Sequence, residues 1–497
     1  VSEFTEQGWS LLSTMMRRLP PSEATGLRTG ARHRLAQLYG PADLVVLGLG
    51  VTIGAGIFSI AGTQAATTAG PGVLLSFMIA GIACLLSALC YAELSSTMPT
   101  SGTAYTFAYV IFGEVWAWVI GWALLLELQL AAAVVARVWA IYAAQFLTDF
   151  GIRLPYPDVF SDGFALFILV LLTAIVSLGA HIGLRALWVI VGAKLLAILA
   201  VLVVGAFHIK AANFGNFFVE ARPSPTPPDT VLEVILGQSQ TFGWFGVFAA
   251  ASAISFAYIG FDLVTTAAEE TVNARRAVPK GVIRSLVIAT VIYLGVAIVM
   301  IGMVPYTRIS TDAPLAGAFR TAGVDWMVHV IDIGAVLGLT TVILVLLVGQ
   351  TRVMFAMARD GLLPRGLATI SRRFHTPSRV TWVIGGIAML MAQFVPVFTL
   401  QELVVLGALF AYLFVAIGVI MMRRRLPDLE RGFTVPLSPW LPGLSIVATV
   451  WLMVNLRALT WGWFALWMAV GLLAYLLYGK RHSVLAAQVK GRGRHRR

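Results

Sequence analysis

Long apolar runs separated by short polar connectors dominate the chain. A hydrocarbon core of ~30 Å takes about 20 apolar residues in helical conformation. Twelve runs meet or approach that length, near residues 42–66, 72–98, 113–146, 164–181, 184–208, 240–270, 280–304, 327–357, 380–397, 401–422, 440–457 and 460–479. The pattern predicts an all-α polytopic membrane protein with twelve transmembrane helices. The stretch 9–19 carries Trp9, Leu11, Leu12, Met15, Met16 and Leu19 beside Arg17 and Arg18. It reads equally as a short interfacial helix or as a solvated tail. The expected organisation is a tail over 1–40, a membrane domain over 41–480 and a basic tail over 481–497.

Composition agrees with this reading and removes the soluble classes. Of 497 residues, 59% are apolar and 12% charged, about half the charge a soluble domain carries. The net charge of +12 would indicate nucleic acid in a soluble protein, but its placement argues otherwise. With both termini set on one side, 27 of the 35 Lys and Arg fall in that side's segments, 6 on the other side, and Arg137 and Lys194 lie within runs. This is the positive-inside pattern. It predicts a multi-pass plasma-membrane protein with both termini cytoplasmic and no nucleic-acid partner. Cys84 and Cys90 share one apolar run and are about 9 Å apart along a helix, too far for a disulfide. No metal-ligand cluster and no cofactor motif is present.

Two runs break helical rules. The first contains Gly48, Gly50, Gly54 and Gly56; the sixth reads Ser255-Phe-Ala-Tyr-Ile-Gly-Phe-Asp262 and is followed by Glu269, Glu270 and Asn273. Glycine costs a helix about 1 kcal/mol relative to alanine, and backbone unwound in lipid is tolerated only where it is buried or lines a cavity. Four runs separate the two, the spacing of a five-plus-five inverted repeat whose broken helices hold a substrate. The repeats would cover about 41–208 and 240–422, with two further helices over 440–479. Free amides at a half-helix start attract a carboxylate, and free carbonyls attract an ammonium, so the pair of breaks suits an α-amino acid. The same glycines also serve as close-packing surfaces. Asp262, two residues past Gly260, reads as a cap at a half-helix start.

Charges inside the runs are few. A buried lysine costs at least ~2.5–3.5 kcal/mol on insertion scales, so Lys194 calls for a partner. Glu127 lies at similar depth in the third run, and the two are expected to form a pair, either coupled to proton movement or permanently structural. Arg137 is expected to snorkel toward the outer face. Asp332 and His329 read either as lining of an outer vestibule or as interfacial residues. Trp116, Trp118, Trp122, Trp461 and Trp463 read as interfacial anchors.

The strings GVTIGAGIF (50–58), MPTSGTAY (98–105), GEVWAWVIGW (113–122), the sixth-run text from Phe256 to Ile283, GQTRVMFAMARDGLLP (349–364) and RRRLPDLERGFTVP (423–436) resemble the amino acid–polyamine–organocation superfamily, in its cationic amino acid transporter-like branch. The resemblance implies a leucine-transporter-type 5+5 inverted-repeat fold with helices 1 and 6 broken, and secondary active uptake of L-amino acids by alternating access. It places the substrate on Thr52, Ile53, Gly54, Ala55, Gly56 and Ile57 and on Phe256, Ala257, Tyr258 and Ile259. Ala55 and Gly56 would offer amides to the carboxylate; Thr52, Phe256 and Ile259 would offer carbonyls to the ammonium, with the Phe256 ring as a gate. Lys194 and Glu127 match the family's proton-coupling positions, so a proton gradient, not a cofactor, supplies the energy. Many relatives carry Ser or Thr where this chain has Ala55. A small single-span accessory protein is compatible with such a fold.

Selectivity is expected to be broad, neutral or cationic. Glu127 is the mid-membrane carboxylate available to a cationic side chain, and Lys194 would neutralise it, which favours neutral substrates. The alternative is a permease or exchanger specific for arginine, lysine or ornithine. A non-transporting amino acid sensor or a channel is a further reading. No His-Glu-x-x-His, Gly-x-Ser-x-Gly or phosphate-binding lysine loop points to an enzyme.

Overall fold

The computed structural model describes residues 17–20, 39–149, 151, 157–179, 184–223, 229–311, 313–371, 373–374 and 376–486. The interfacial helix expected over 9–19, apart from Arg17–Leu19, and most of the basic tail lie outside them. The described residues of the twelve apolar runs are mostly helical, with breaks in the first and the sixth. In chain order the α-helices that matter here are α1 (Pro41–Thr52), α2 (Val73–Thr97), α3 (Thr103–Ile111), α4 (Glu114–Asp149), α5 (Pro157–Ser177), α6 (Leu184–Ala206), α7 (Val231–Leu236), α8 (Gly243–Tyr258), α9 (Ala274–Met303), α10 (Pro314–Thr321), α11 (Asp325–Arg359), α12 (Ser378–Phe394), α13 (Val397–Arg425), α14 (Trp440–Val454) and α15 (Ala458–Ala474). Among the described residues, eight helical stretches are long and apolar enough to cross a membrane. The chain is an all-α polytopic membrane protein. Its described β-structure is one two-residue ladder, Arg222–Pro223 against Gln240–Thr241, plus isolated bridges.

Solvent-facing residues identify the surrounding medium. On α6, Val189 and Leu196 are 70% and 67% exposed, and Phe207 just past its end is 84% exposed, a burial loss that only hydrocarbon makes tolerable. The opposite face of α6 carries Lys194, which is completely buried. Inside, α11 lies along α4, α9 along α2 and α1, and α13 along α4. Trp118 and Trp122, expected as interfacial anchors, are instead part of the interior: Trp118 is buried, its ring stacks on Trp122 at 5.3 Å, and Trp122 stacks on Trp467 at 4.6 Å. Their indole N–H groups donate to the carbonyls of Gly471 and Trp467, so they join α4 to α15. Arg137 is likewise held, its guanidinium donating to the Ala392 carbonyl at 2.7 Å.

Polar clasps close the Arg-rich end of the bundle. Glu93 is fully buried near the end of α2 and accepts from Arg423 Nε at 2.8 Å and Nη2 at 2.5 Å, and from the Val435 amide at 2.7 Å. Glu114, fully buried at the start of α4, accepts from Ser483 Oγ at 2.6 Å, Tyr475 OH at 2.9 Å and Tyr109 OH at 3.3 Å. The Val484 amide donates to the Asp360 carbonyl at 3.0 Å. A third clasp joins α11 to the segment after α8: Arg352 donates to Glu270 at 2.6 Å and to Thr266 Oγ1 at 3.2 Å, and Ser101 donates through its amide and hydroxyl to Glu269 at 2.9 and 3.0 Å.

Removing one partner of a buried ion pair costs about 3 kcal/mol or more, because the other charge stays behind without compensation. Glu93→Ala is therefore expected to lower the thermal-unfolding midpoint in detergent clearly, and adding Arg423→Gln to restore part of the loss. An unchanged midpoint for Glu93→Ala would show that this clasp does not hold α2 to α13.

Candidate functional site

Both glycine-marked runs are broken, and the breaks face each other. α1 ends at Thr52, Ile53 is extended with φ −77° and ψ 93°, and helical turns resume at Gly56. α8 ends at Tyr258, Ile259 is extended with φ −61° and ψ 140°, Gly260 takes φ +111°, and a 3₁₀ run follows over Asp262–Glu270. Two glycines make the juxtaposition feasible. A Cβ on Gly56 would lie 2.2 Å from the Ala257 Cβ, and one on Gly260 would lie 2.4 Å from Val51 Cγ1. Gly260 also occupies backbone space that side chains strain to reach.

Unwinding frees carbonyls that lipid cannot satisfy, and two side chains meet them. The Lys194 ammonium donates to the carbonyls of Leu49 at 3.3 Å, Gly50 at 3.0 Å and Ile53 at 2.8 Å. All three ammonium protons are thereby used, at the negative end of the α1 dipole. The Tyr293 hydroxyl, fully buried on α9, reaches the Thr52 carbonyl and also the Ala257 carbonyl, the latter at 2.8 Å. One phenol thus bridges both breaks.

The expected Lys194–Glu127 pair is absent. Among the described residues no carboxylate lies within ion-pair distance of Lys194. Its stem runs against Gly338 of α11, where a Cβ would lie 2.6 Å from Lys194 Cδ. Glu127, completely buried on α4, sits against Gly407 of α13 and has no hydrogen-bond partner for either carboxylate oxygen. The carbonyls of the broken helix outcompete the carboxylate because they number three and converge. Asp262, expected as a cap, opens the 3₁₀ run, but the cap position falls to Phe261 with no side-chain cap hydrogen bond, and Asp262 Oδ1 is buried with no hydrogen-bond partner.

A small cavity lies between the breaks, lined by Val51, Thr52, Gly54, Ala55, Gly56, Ala131, Val135, Phe256, Ile259, Val342 and Leu346. Of the ten candidate substrate residues, Thr52, Gly54, Ala55, Gly56, Phe256 and Ile259 line it. Ile53 and Ile57 are buried elsewhere, Ala257 packs on Gly56, and the Tyr258 hydroxyl donates to the Phe77 carbonyl at 2.9 Å. The Thr52 carbonyl, expected to await an ammonium, already accepts from Tyr293. The Thr52 hydroxyl is buried without a hydrogen-bond partner. The walls on α4 and α11 were not anticipated, although Glu127, Ala131 and Val135 follow one another at helical i, i+4, i+8 spacing, a face that the sequence displays.

Known proteins place this arrangement. The profile of the family described as Amino acid permease matches residues 40–476. The branched-chain amino acid permease BcaP of Bacillus subtilis (strain 168) is 39% identical over 469 residues, 92% of this chain and 96% of that one. The methylthioribose transporter of the same organism is 38% identical over 483 residues, 95% and 100% of the two chains. The vacuolar cationic amino acid transporter 2 of Arabidopsis thaliana is 34% identical over 428 residues, 84% of this chain and 65% of that one. With a family profile spanning both breaks and relatives aligned nearly end to end, the chain belongs to the amino acid permease family of the amino acid–polyamine–organocation superfamily.

Proposed function

We propose that this permease takes up L-amino acids with neutral, apolar side chains across the plasma membrane by alternating access, driven by protons. The observation that carries the substrate class is the cavity wall. Val51, Ala131, Val135, Val342 and Leu346 offer a side chain only aliphatic contact, worth roughly 25 cal/mol per Å² of apolar surface removed from water. The α-amino acid part would lie on the amides of Ala55 and Gly56 and the carbonyls at Phe256 and Ile259. The name of the branched-chain relative agrees with such a pocket. The membrane architecture that goes with this reading has twelve crossings, repeats over about 41–208 and 240–422 related by inversion, two appended helices over 440–479, and both tails in the cytoplasm. The positions of the two breaks support the repeat, and the distribution of Lys and Arg supports the orientation.

Proton coupling has a concrete carrier in Lys194. A neutral amine keeps two N–H donors, so proton loss abandons at least one of the three carbonyls at Leu49, Gly50 and Ile53. Those carbonyls end the half-helix that leads directly into the cavity at Thr52 and Gly54. Protonation state and the shape of the substrate site are thereby linked through backbone hydrogen bonds. Glu127, one helical turn from Ala131, is a second titratable group beside the site and acts separately from Lys194. The Arg352–Glu270 and Ser101–Glu269 contacts keep the cytoplasmic side shut in this state, and their separation would open it.

A second reading, a cationic substrate, rests on Glu127: its two oxygens have no hydrogen-bond partner, and a guanidinium or ammonium extending past Ala131 would supply donors. Purified protein in proteoliposomes separates the two. With leucine as the labelled counterflow substrate, excess unlabelled valine or isoleucine is expected to compete at least tenfold better than arginine or lysine, with methylthioribose as a further competitor. Strong competition by arginine would overturn the neutral reading in favour of the cationic one.

Lys194→Ala is expected to reduce uptake driven by an inward proton gradient more than tenfold. Full proton-driven uptake by this variant would remove Lys194 from the coupling mechanism.

A further inference from the structure

The first three turns of α9 carry a column of cations on their outer face. Arg276, Lys280 and Arg284 follow one another at i, i+4 and i+8 and are all exposed. They span eight residues, ~12 Å along the axis. Val287 and Val291, 44% and 66% exposed, continue the stripe. At 3.6 residues per turn all five side chains fall within ~80° of the helix circumference. The other side of α9 is packed on α1, with Gly281 against Leu44 and Ser285 against Gly48. One face of one helix thus passes from positive to aliphatic, the order in which a membrane passes from headgroup to hydrocarbon. Among the described residues no carboxylate lies within ion-pair distance of the three cations. Acids on adjoining segments are already committed. Glu430 pairs with Arg275 at 2.5 Å and Glu270 with Arg352 at 2.6 Å, while Asp43 accepts from the Gly40 amide and the Trp188 indole N–H, each at 2.8 Å. The first turn of α9 holds no acidic residue, although that end of a helix dipole is positive and favours negative charge.

We infer that this stripe binds one anionic phospholipid, its phosphate held by the Arg276–Lys280–Arg284 column and an acyl chain laid along Val287 and Val291. The two guanidiniums offer paired N–H donors to phosphate oxygens, and the lysine adds a point charge between them. Basic residues at the end of a membrane-crossing helix gather anionic lipid from the adjacent leaflet. The valines decide between a lipid and a free phosphate, because only a lipid brings hydrocarbon to an aliphatic surface directly beyond the charges. The bound lipid supplies the counter-charge that the chain itself withholds, to the cations and to the positive helix end alike. It also sits on the helix whose Tyr293 hydroxyl reaches the carbonyls of both breaks. The inference needs α9 to cross the membrane and rests neither on the proposed substrate nor on the proposed orientation.

Native mass spectrometry of the full chain in detergent, titrated with dioleoyl phosphatidylglycerol or with dioleoyl phosphatidylcholine, tests it. The first phosphatidylglycerol is expected to bind at least tenfold more tightly than phosphatidylcholine. The joint variant Arg276→Gln, Lys280→Gln, Arg284→Gln should lose most of that preference. The control Arg424→Gln, Arg425→Gln, which removes exposed charge from the same end of the bundle, should keep it within twofold of the parent. Absence of the preference in the parent, or its retention by the joint variant, overturns the proposal. So does an equal loss in the control, which would reduce the effect to general surface charge. Inorganic phosphate at the same concentration is expected to leave the lipid bound, and displacement by it would overturn the lipid as occupant. If the joint variant is not recovered folded, Arg284→Gln is read alone: it should weaken phosphatidylglycerol binding at least threefold, and unchanged binding overturns the proposal. Lipid retention is read without any transported solute, so a failure of the amino acid reading in the counterflow assay leaves this result intact.

Discussion

A peptide group released from a helix inside a membrane has no water to turn to, and the structure is organised around that demand. Leaving such a group unpaired costs about 1–3 kcal/mol or more. Two breaks in adjacent helices multiply the problem. The chain solves it with two donors brought from other helices, the Lys194 ammonium from α6 and the Tyr293 hydroxyl from α9. Each reaches backbone rather than side chain. The breaks are therefore held open by α6 and α9, and the cavity between them inherits its shape from those hydrogen bonds. What lies between them is a cavity with aliphatic walls, which under the proposed function a zwitterion with an apolar side chain would occupy.

The same constraint explains why small residues cluster where they do. Gly56 and Gly260 are fixed by contact with the opposite break, at Ala257 and Val51. Gly338 is fixed by the lysine stem, and Gly407 lies against Glu127. Each replaces a side chain by a neighbouring helix or by the long arm of a charged residue, so polar chemistry enters the interior without loss of packing. The aromatic stack from Trp118 through Trp122 to Trp467 supplies the rigid counterpart, tying α15 to the helix that carries Glu127 and the cavity wall.

The fold class and the positions of both breaks were legible in the sequence, because apolar run length and glycine placement are local properties. Lys194 was legible as a buried charge in need of partners. Its partner was misjudged, since depth along a helix says nothing about which way the helix turns, and three converging carbonyls leave no residue signature at all. Tyr293 went unnoticed for a related reason: one tyrosine in an apolar run looks like core until the opposite backbone is known to be unwound. The walls at Val135 and Val342 were hidden by their ordinariness, and Trp118 was misplaced because nearness to a run's end does not show whether another helix covers it.

Glu114 gives the order of synthesis a structural meaning. It is made early, at the start of α4, yet two of its three hydroxyl donors, Tyr475 and Ser483, are among the last described residues to leave the ribosome. Until they arrive, Tyr109 is the one of the three that can donate to it. The hydroxyl shell of Glu114 is thus complete only once residue 483 has been added, so the start of α4 and the end of the described chain settle together.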